Sequence, residues 1–356
     1  MQNKKILIFG AGEIGRGFIA PLFYKNGYEV NFVDKDKILV NKLKKRKIYK
    51  IAITQKKNYK FENIEFGNIF HLDEKFNIGD YDIVFTCVGP ENCYKNAEKL
   101  KKAKLIVSCE NDLNTVENLI KLSNNKNIVF GIPDVITSNT ASRILLRKDP
   151  LLLISERGTL IIDKKKFIFP KPIVSASNKE LKIHWNCKFF IHNAPHAIAA
   201  YLGYLKGYKF IHEAMNDKKI KKIVIGSIKE ITYGMIKCGY VKKKFGIYYM
   251  KKEISRFSNN LLFDPISRVA RDPIRKLAKD NRLILALRIG IFNKKLPHFT
   301  AAGVKAALNY FDKKDSQSLH LKIMLANLGY EGVLEKICGL NKKDPLNQLC
   351  IKQNLE

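Results

Sequence analysis

The run "KKILIFGAGEIGRG" at residues 4–17 constrains this chain more than any other stretch. A short apolar segment of strand character leads straight into Gly10, Gly12 and Gly15, spaced G-x-G-x-x-G, and the following "EIGRGFIAPLFYKNG" has the pattern of a helix. That order demands a tight turn at the first glycine, close backbone approach to a ligand at the second, and tight helix packing at the third. The helix N-terminus then faces an anion, and a diphosphate is the natural occupant. Glu13 and Ile14, between the second and third glycines, belong to the same cofactor-binding turn. The next strand, "YEVNFVD", ends in Asp34, where a carboxylate bonds the ribose hydroxyls of an adenosine and repels a 2′-phosphate. The expected cofactor is NAD rather than NADP. The basic "KLKKRK" at 42–47 lies too far past Asp34 to reverse that preference.

The grammar of the first half continues in the same way. "YDIVFTCVG", "AKLIVSCEN" and "NIVFGIP" read as further buried strands, each after a helical stretch or a turn. "KIYKIAI" and "KNYKFENIEFG" alternate with period two and predict an inserted hairpin, and "PLLLISERG" and "TLIIDKKKFIF" add two more strand-like runs. Gly89 and Asn111 fall at strand carboxyl ends, where ligands bind in an open α/β sheet, although Asp112 beside Asn111 also suits a helix cap. Beyond the proline-flanked "IFPKPIVSASN" at 168–178 the pattern becomes amphipathic helices to the end. The expected fold is a Rossmann-type α/β domain with a doubly wound parallel sheet, residues 1–180, followed by an all-helical C-terminal domain, residues 181–356. Two domains also suit 356 residues, more than one core accommodates well.

Composition excludes several classes. No apolar run reaches the ~18 residues of a membrane span, and the N-terminal apolar stretch is too short for a signal peptide, so a cytoplasmic protein is expected. Seven cysteines lie singly, without C-x-x-C spacing, which speaks for reduced thiols and against a zinc ribbon; no metal is expected. The formal charge of +32 invites a nucleic-acid reading. The excess is lysine scattered over many elements, with no RNA-binding aromatic motif, so nucleic acid is not the expected partner and a small anionic substrate is.

"KFFIHNAPH" at 188–196 interrupts apolar residues with Lys188, Asn193 and His196. On an α-helix these would fall within an arc of about 140°. Pro195 instead allows a helix that begins near Asn193, with Asn193 as its cap. Taken singly, each residue has an ordinary structural explanation: a lysine with its stem on apolar surface, a capping asparagine, a core histidine.

Taken together they resemble the K-x-x-x-x-N-x-x-H signature of the polyol-specific long-chain dehydrogenases, the mannitol dehydrogenase family. "FGAGEIGRGFI", "CEN" at 109–111, "NAPHAIAAYLG" at 193–203 and "DPISRVARDPIRKLAKDNRL" at 264–283 resemble that family in order and spacing, so the likeness runs from Ile6 to the C-terminal helices. It implies a zinc-independent, NAD-dependent oxidoreductase interconverting D-mannitol 1-phosphate and D-fructose 6-phosphate. Lys188 would be the general base, kept partly neutral by Trp185, Phe189 and Phe190. Asn111 and Asn193 would hold the developing alkoxide, and His196 would orient substrate hydroxyls.

The substrate phosphate would find donors among Arg268, Arg271, Arg275, Lys276 and Arg282, in a chain that otherwise favours lysine. The competing explanation for these cations is ion pairing with Asp264, Asp272 and Asp280 on a surface helix. The chain departs from the family at Trp185, where some members carry a glutamate, at Ala194 and Pro195, and through "GIPDVITSNTASRILL". These departures bear on the substrate: another polyol or a hexuronate remains a rival, as does, from a different class, a basic nucleic-acid-binding protein on a dehydrogenase fold.

Overall fold

The computed structural model describes residues 4–163, 169 and 173–355. The chain divides into two compact units, Met1–His184 and Trp185–Glu356. Residues 164–168 of "TLIIDKKKFIF" and residues 168 and 170–172 of the proline-flanked segment lie outside the described residues.

In the first unit the strands are β1 (Lys5–Phe9), β2 (Glu29–Asp34), β3 (Ile48–Thr54), β4 (Tyr59–Glu65), β5 (Ile69–His71), β6 (Ile83–Thr86), β7 (Ile106–Ser108), β8 (Ile128–Asp134), β9 (Thr137–Ser138), β10 (Leu153–Ser155), β11 (Thr159–Asp163) and β12 (Val174–Ala176). Eight form one sheet in the order β12-β11-β8-β7-β6-β1-β2-β5. All neighbours from β8 to β5 run parallel, and only β11 opposes β8. Chain direction reverses its march across the sheet between β1 and β6, the switch point of a doubly wound fold. Alternate residues of the central strands enter two different cores. Ile6, Ile8, Phe32 and Phe85 pack on one face, Leu7, Phe9, Val33 and Val84 on the other. A sheet covered on both faces explains why these strands read as continuous apolar runs.

The expected hairpin is present, with Ile48 opposite Glu65 through Thr54 opposite Tyr59. It belongs to a second sheet, β4-β3-β10-β9. Arg16 ties that sheet to the glycine-rich turn. Its guanidinium is buried, donates to the carbonyls of Ala11 and, at 3.1 Å, Leu151, and lies 5.5 Å from the Tyr49 ring. The Tyr49 hydroxyl in turn donates to the Arg16 carbonyl at 2.7 Å.

Among the described residues, every regular element of the second unit is helical. The long helix Lys218–Lys237 packs against Ala194–Leu205, Lys243–Phe257, Arg282–Gly290 and His298–Leu308. Among the described residues no helix is long and apolar enough to cross a membrane.

Candidate active site

At the carboxyl ends of β1 and β6, Phe9, Gly10, Gly12, Val33, Asp34, Cys87 and Val88 line a cleft of about 190 Å³. Each glycine has its own reason. Gly10 has φ +100°, and a Cβ there would stand 2.5 Å from the Cys87 carbonyl oxygen. A Cβ on Gly15 would meet the Gly10 carbonyl oxygen at 1.9 Å, so the helix can approach the loop only without one. Gly12 is exposed, with nothing within 4 Å of where its Cβ would be. That open backbone is what a diphosphate requires for close approach, and the loop therefore fits a dinucleotide. The helix begins at Glu13 and Ile14 and passes through a π-helical turn, Gly15–Ile19, before Ala20–Tyr24. Glu13 accepts the Asn139 amide at 3.3 Å. Asp34 braces the loop with one carboxylate oxygen, accepting the Ala11 N–H at 2.7 Å, and accepts the Asp36 N–H at 2.9 Å with the other.

Gly89 adopts φ +87° after β6, and here the structure adds a residue that sequence reasoning left without a role. The buried Glu110 accepts the N–H of Val88 at 3.0 Å and of Gly89 at 2.8 Å, clamping this loop from the end of β7. Burial pushes its carboxyl up against the pull of those hydrogen bonds. Asn111, one residue on, is exposed, while Asp112 accepts the Asn114 amide at 3.0 Å.

In the second unit, Lys188 and Asn193 lie in a π-helical turn, Cys187–Asn193, joining Asn178–Asn186 to Ala194–Leu205 without a break. Asn193 is therefore not a helix cap: its backbone is right-handed helical and it makes no side-chain cap bond. The wide turn is the physical reason that Pro195, which lacks an N–H, does not start a new helix. It also changes the geometry of the signature. With i→i+5 bonding, residues five apart stand one turn above each other, so Lys188 and Asn193 share a face that an α-helix would have separated by about 140°. Lys188 is half-buried; Trp185 stacks on Phe189 at 5.8 Å, and Phe189 meets Phe190 edge-on at 5.1 Å.

Two histidines of this segment are held by carboxylate–arginine pairs. His196 Nε2 lies 2.8 Å from Asp264 Oδ2, whose other oxygen accepts from Arg268. Four residues earlier, His192 Nδ1 lies 2.6 Å from Glu253 Oε2, whose other oxygen accepts from Arg256 at 2.7 Å. Burial opposes ionisation of both carboxyls, yet the cations and imidazoles beside them hold Asp264 and Glu253 well below the usual carboxylate range. Burial lowers His192 to about 4, so it is neutral at ordinary pH and donates to Glu253 through Nδ1. The Phe257 ring stacks on His196 at 5.0 Å and lies 5.4 Å from His192. His192 has the i, i+4 spacing that could have singled it out, whereas Glu253 lies 61 residues away.

The basic motif is sorted by burial. Arg268 and Arg275 pair with Asp264 and Asp272, as the ion-pair explanation had it, and Arg271 is exposed. Lys276 and Arg282 are only 4% and 7% exposed, and among the described residues neither makes an ion pair. Burial, reinforced by mutual repulsion within the basic cluster, lowers Lys276 to about 6, and burial with Arg275 lowers Arg282 to about 10. The Arg282 guanidinium lies 5.8 Å from the ring of Phe189, the neighbour of Lys188. The buried Tyr201 hydroxyl, close enough to feel the Arg282 charge, has no hydrogen-bond partner among the described residues.

A glycine-lined cleft at the switch point of a doubly wound sheet, followed by a helical unit that carries a lysine on a π-turn, defines a Rossmann-domain dehydrogenase. The chain belongs to the mannitol dehydrogenase family and is an oxidoreductase of that family: residues 4–126 match the model of its Rossmann domain and residues 180–331 that of its C-terminal domain. The mannitol-1-phosphate 5-dehydrogenase of Thermoanaerobacter pseudethanolicus is 32% identical, over 99% of this chain and 97% of the relative. That of Clostridium acetobutylicum is 30% identical, over 97% of each. Among solved structures, Pseudomonas fluorescens mannitol 2-dehydrogenase, in a ternary complex with NAD and D-mannitol, shares the fold with a TM-score of 0.76 at 15% identity, covering 98% of this chain and 90% of that one.

Proposed function

We propose that this protein interconverts D-mannitol 1-phosphate and D-fructose 6-phosphate with NAD. The observation that carries the choice of a phosphorylated substrate is the buried Lys276–Arg282 pair beside Phe189. Arg282 is a desolvated cation and Lys276 a desolvated amine driven towards its neutral form, neither with an ion-pair partner among the described residues; a phosphate dianion would restore the charge of Lys276 and offset the burial of both, with capacity for several hydrogen bonds. The full-length likeness to enzymes named for mannitol 1-phosphate supports the same choice. Asp34 supports NAD, since its carboxylate accepts ribose hydroxyls and disfavours a 2′-phosphate. Gly10, Gly12, Gly15 and the amides opening the helix at Glu13 and Ile14 would hold the diphosphate, with Gly89 beside them.

NAD, when bound, supplies the acceptor for the hydride leaving the substrate carbon. The remaining work falls to the chain. Lys188 Nζ takes the proton of the reacting hydroxyl in the oxidation direction and returns it to the carbonyl oxygen in the reduction. The Asn193 amide, one π-turn above, donates to that oxygen as charge develops on it. His196, oriented by Asp264, fixes a neighbouring hydroxyl.

NADH oxidation with fructose 6-phosphate, fructose and fructuronate tests this reading. Turnover confined to fructose 6-phosphate supports it. Turnover with fructose or fructuronate and none with the phosphate ester sinks the substrate assignment while leaving the reaction type.

A further inference from the structure

The Glu253 carboxylate is fully buried, on the helix Lys243–Phe257, and meets His192 of the π-turn on one side and Arg256 of its own helix on the other. Lys252 is the other cation near it, at 3.5 Å, and the other titratable ring facing His192 is that of His196, 5.0 Å away. A buried ion pair with a histidine attached is an expensive way to fill a core that apolar side chains would fill as well. What it adds is direction: the hydrogen bond fixes both the tautomer and the rotation of the imidazole. A π-turn is also a rare conformation, and a return to α-helical bonding would rotate Lys188 off the face of Asn193. His192 sits inside that turn, four residues from Lys188.

We propose that Glu253 is a positioning residue, acting through His192 to hold the π-helical turn in the register that stacks Lys188 and Asn193 on one face. This rests on the reading of Lys188 as the base. The anchor comes from a different helix, so the register is imposed by tertiary structure rather than by the local sequence. Phe257, wedged against both imidazoles, transmits the same constraint to His196. The carboxylate touches no substrate in this role; it sets where the reacting groups stand.

The test uses the full-length protein carrying His192→Leu or His192→Asn, assayed with NADH and whichever ketose turns over fastest. His192→Leu removes the donor to Glu253 and keeps an apolar side chain. His192→Asn places an amide N–H near the position of Nδ1. The expected result is a kcat lowered about 10- to 100-fold in His192→Leu, as for a small misplacement of reacting groups. NADH affinity and melting temperature stay close to the parent values, and His192→Asn recovers most of the loss. A His192→Leu protein that keeps its kcat, or a His192→Asn protein that melts like the parent but is no faster than His192→Leu, overturns the positioning role. Lys188→Ala runs alongside: if it is inactive while His192→Leu is fully active, only the positioning role fails, and if it remains active the base assignment and the positioning role fall together.

Discussion

At the glycine-rich turn, geometry is set by what is missing; at the lysine turn it is set by what is buried. Gly10 and Gly15 let two stretches of backbone come within a distance that any Cβ would block, and Gly12 leaves a bare surface for a ligand. Around Lys188 and Asn193 the backbone takes a wide turn, anchored in our reading by the Glu253 carboxylate through His192, while Asp264 holds His196 in the helix that follows. The first arrangement is local and robust. The second depends on residues more than 60 positions away and on charges kept out of water, so its failure should alter turnover before it alters folding.

The largest effect should come from Lys188→Ala, which breaks the comparison at its active end. Loss of a general base predicts a kcat lowered about 100- to 10,000-fold, with NADH affinity by fluorescence titration nearly intact. Equal loss of both would mean that the two ends are not separable. Next come the glycines. Gly12→Ala should weaken NADH about 100-fold and leave the melting temperature unchanged, because its Cβ meets nothing in the protein itself. Gly15→Ala should cost about 1–3 kcal/mol of stability in denaturant titrations, through overpacking. The reverse pattern would show that the loop is shaped by packing alone.

Lys276→Met sharpens the contrast from the other side. The KM for fructose 6-phosphate should rise about 10- to 100-fold with the loss of a charge-assisted contact, while the melting temperature rises because a buried cation has gone. A fall in melting temperature with an unchanged KM would mark Lys276 as structural. The gain in stability should be greatest at low pH. Since Lys276 is lowered to about 6 in the folded chain, the burial penalty is fully present below pH 6 and fades as pH rises, the unfolded chain holding the extra proton between about 6 and 10.4. The smallest effect follows from the same group. Phosphate binds the protonated amine, so the KM of the parent protein, expressed per substrate dianion, should rise about fivefold from pH 6 to pH 7, and a KM flat on that basis would remove Lys276 from the phosphate site.

The two ends also differ in how far they can be read from sequence. The glycine spacing, Asp34 and the alternating strands are consequences of neighbouring residues, and they stand where expected. Of the sheet strands joining it, β5 escapes detection because three residues carry no usable periodicity. At the other end, Lys188, Asn193 and His196 are visible by type, but the π-turn is not, because proline and asparagine in "HNAP" equally suit a helix start. Glu253 is one of many charged residues in its helix, and nothing local marks it as buried. The same holds for the basic motif: five cations look alike in sequence, and only burial separates Lys276 and Arg282 from the arginines paired with Asp264 and Asp272.

Arg16 bears on how portable the cofactor domain is. Its guanidinium is satisfied by carbonyls from the glycine turn and from the residues leading into β10, and its own carbonyl is held by Tyr49 of β3. A trimmed version of this domain, reduced to the eight-stranded sheet and its helices, would strip Arg16 of its Leu151 and Tyr49 partners one residue after Gly15. The small second sheet is therefore part of the minimum unit for anyone grafting or shortening this domain, and a chain that discards it must also replace the arginine.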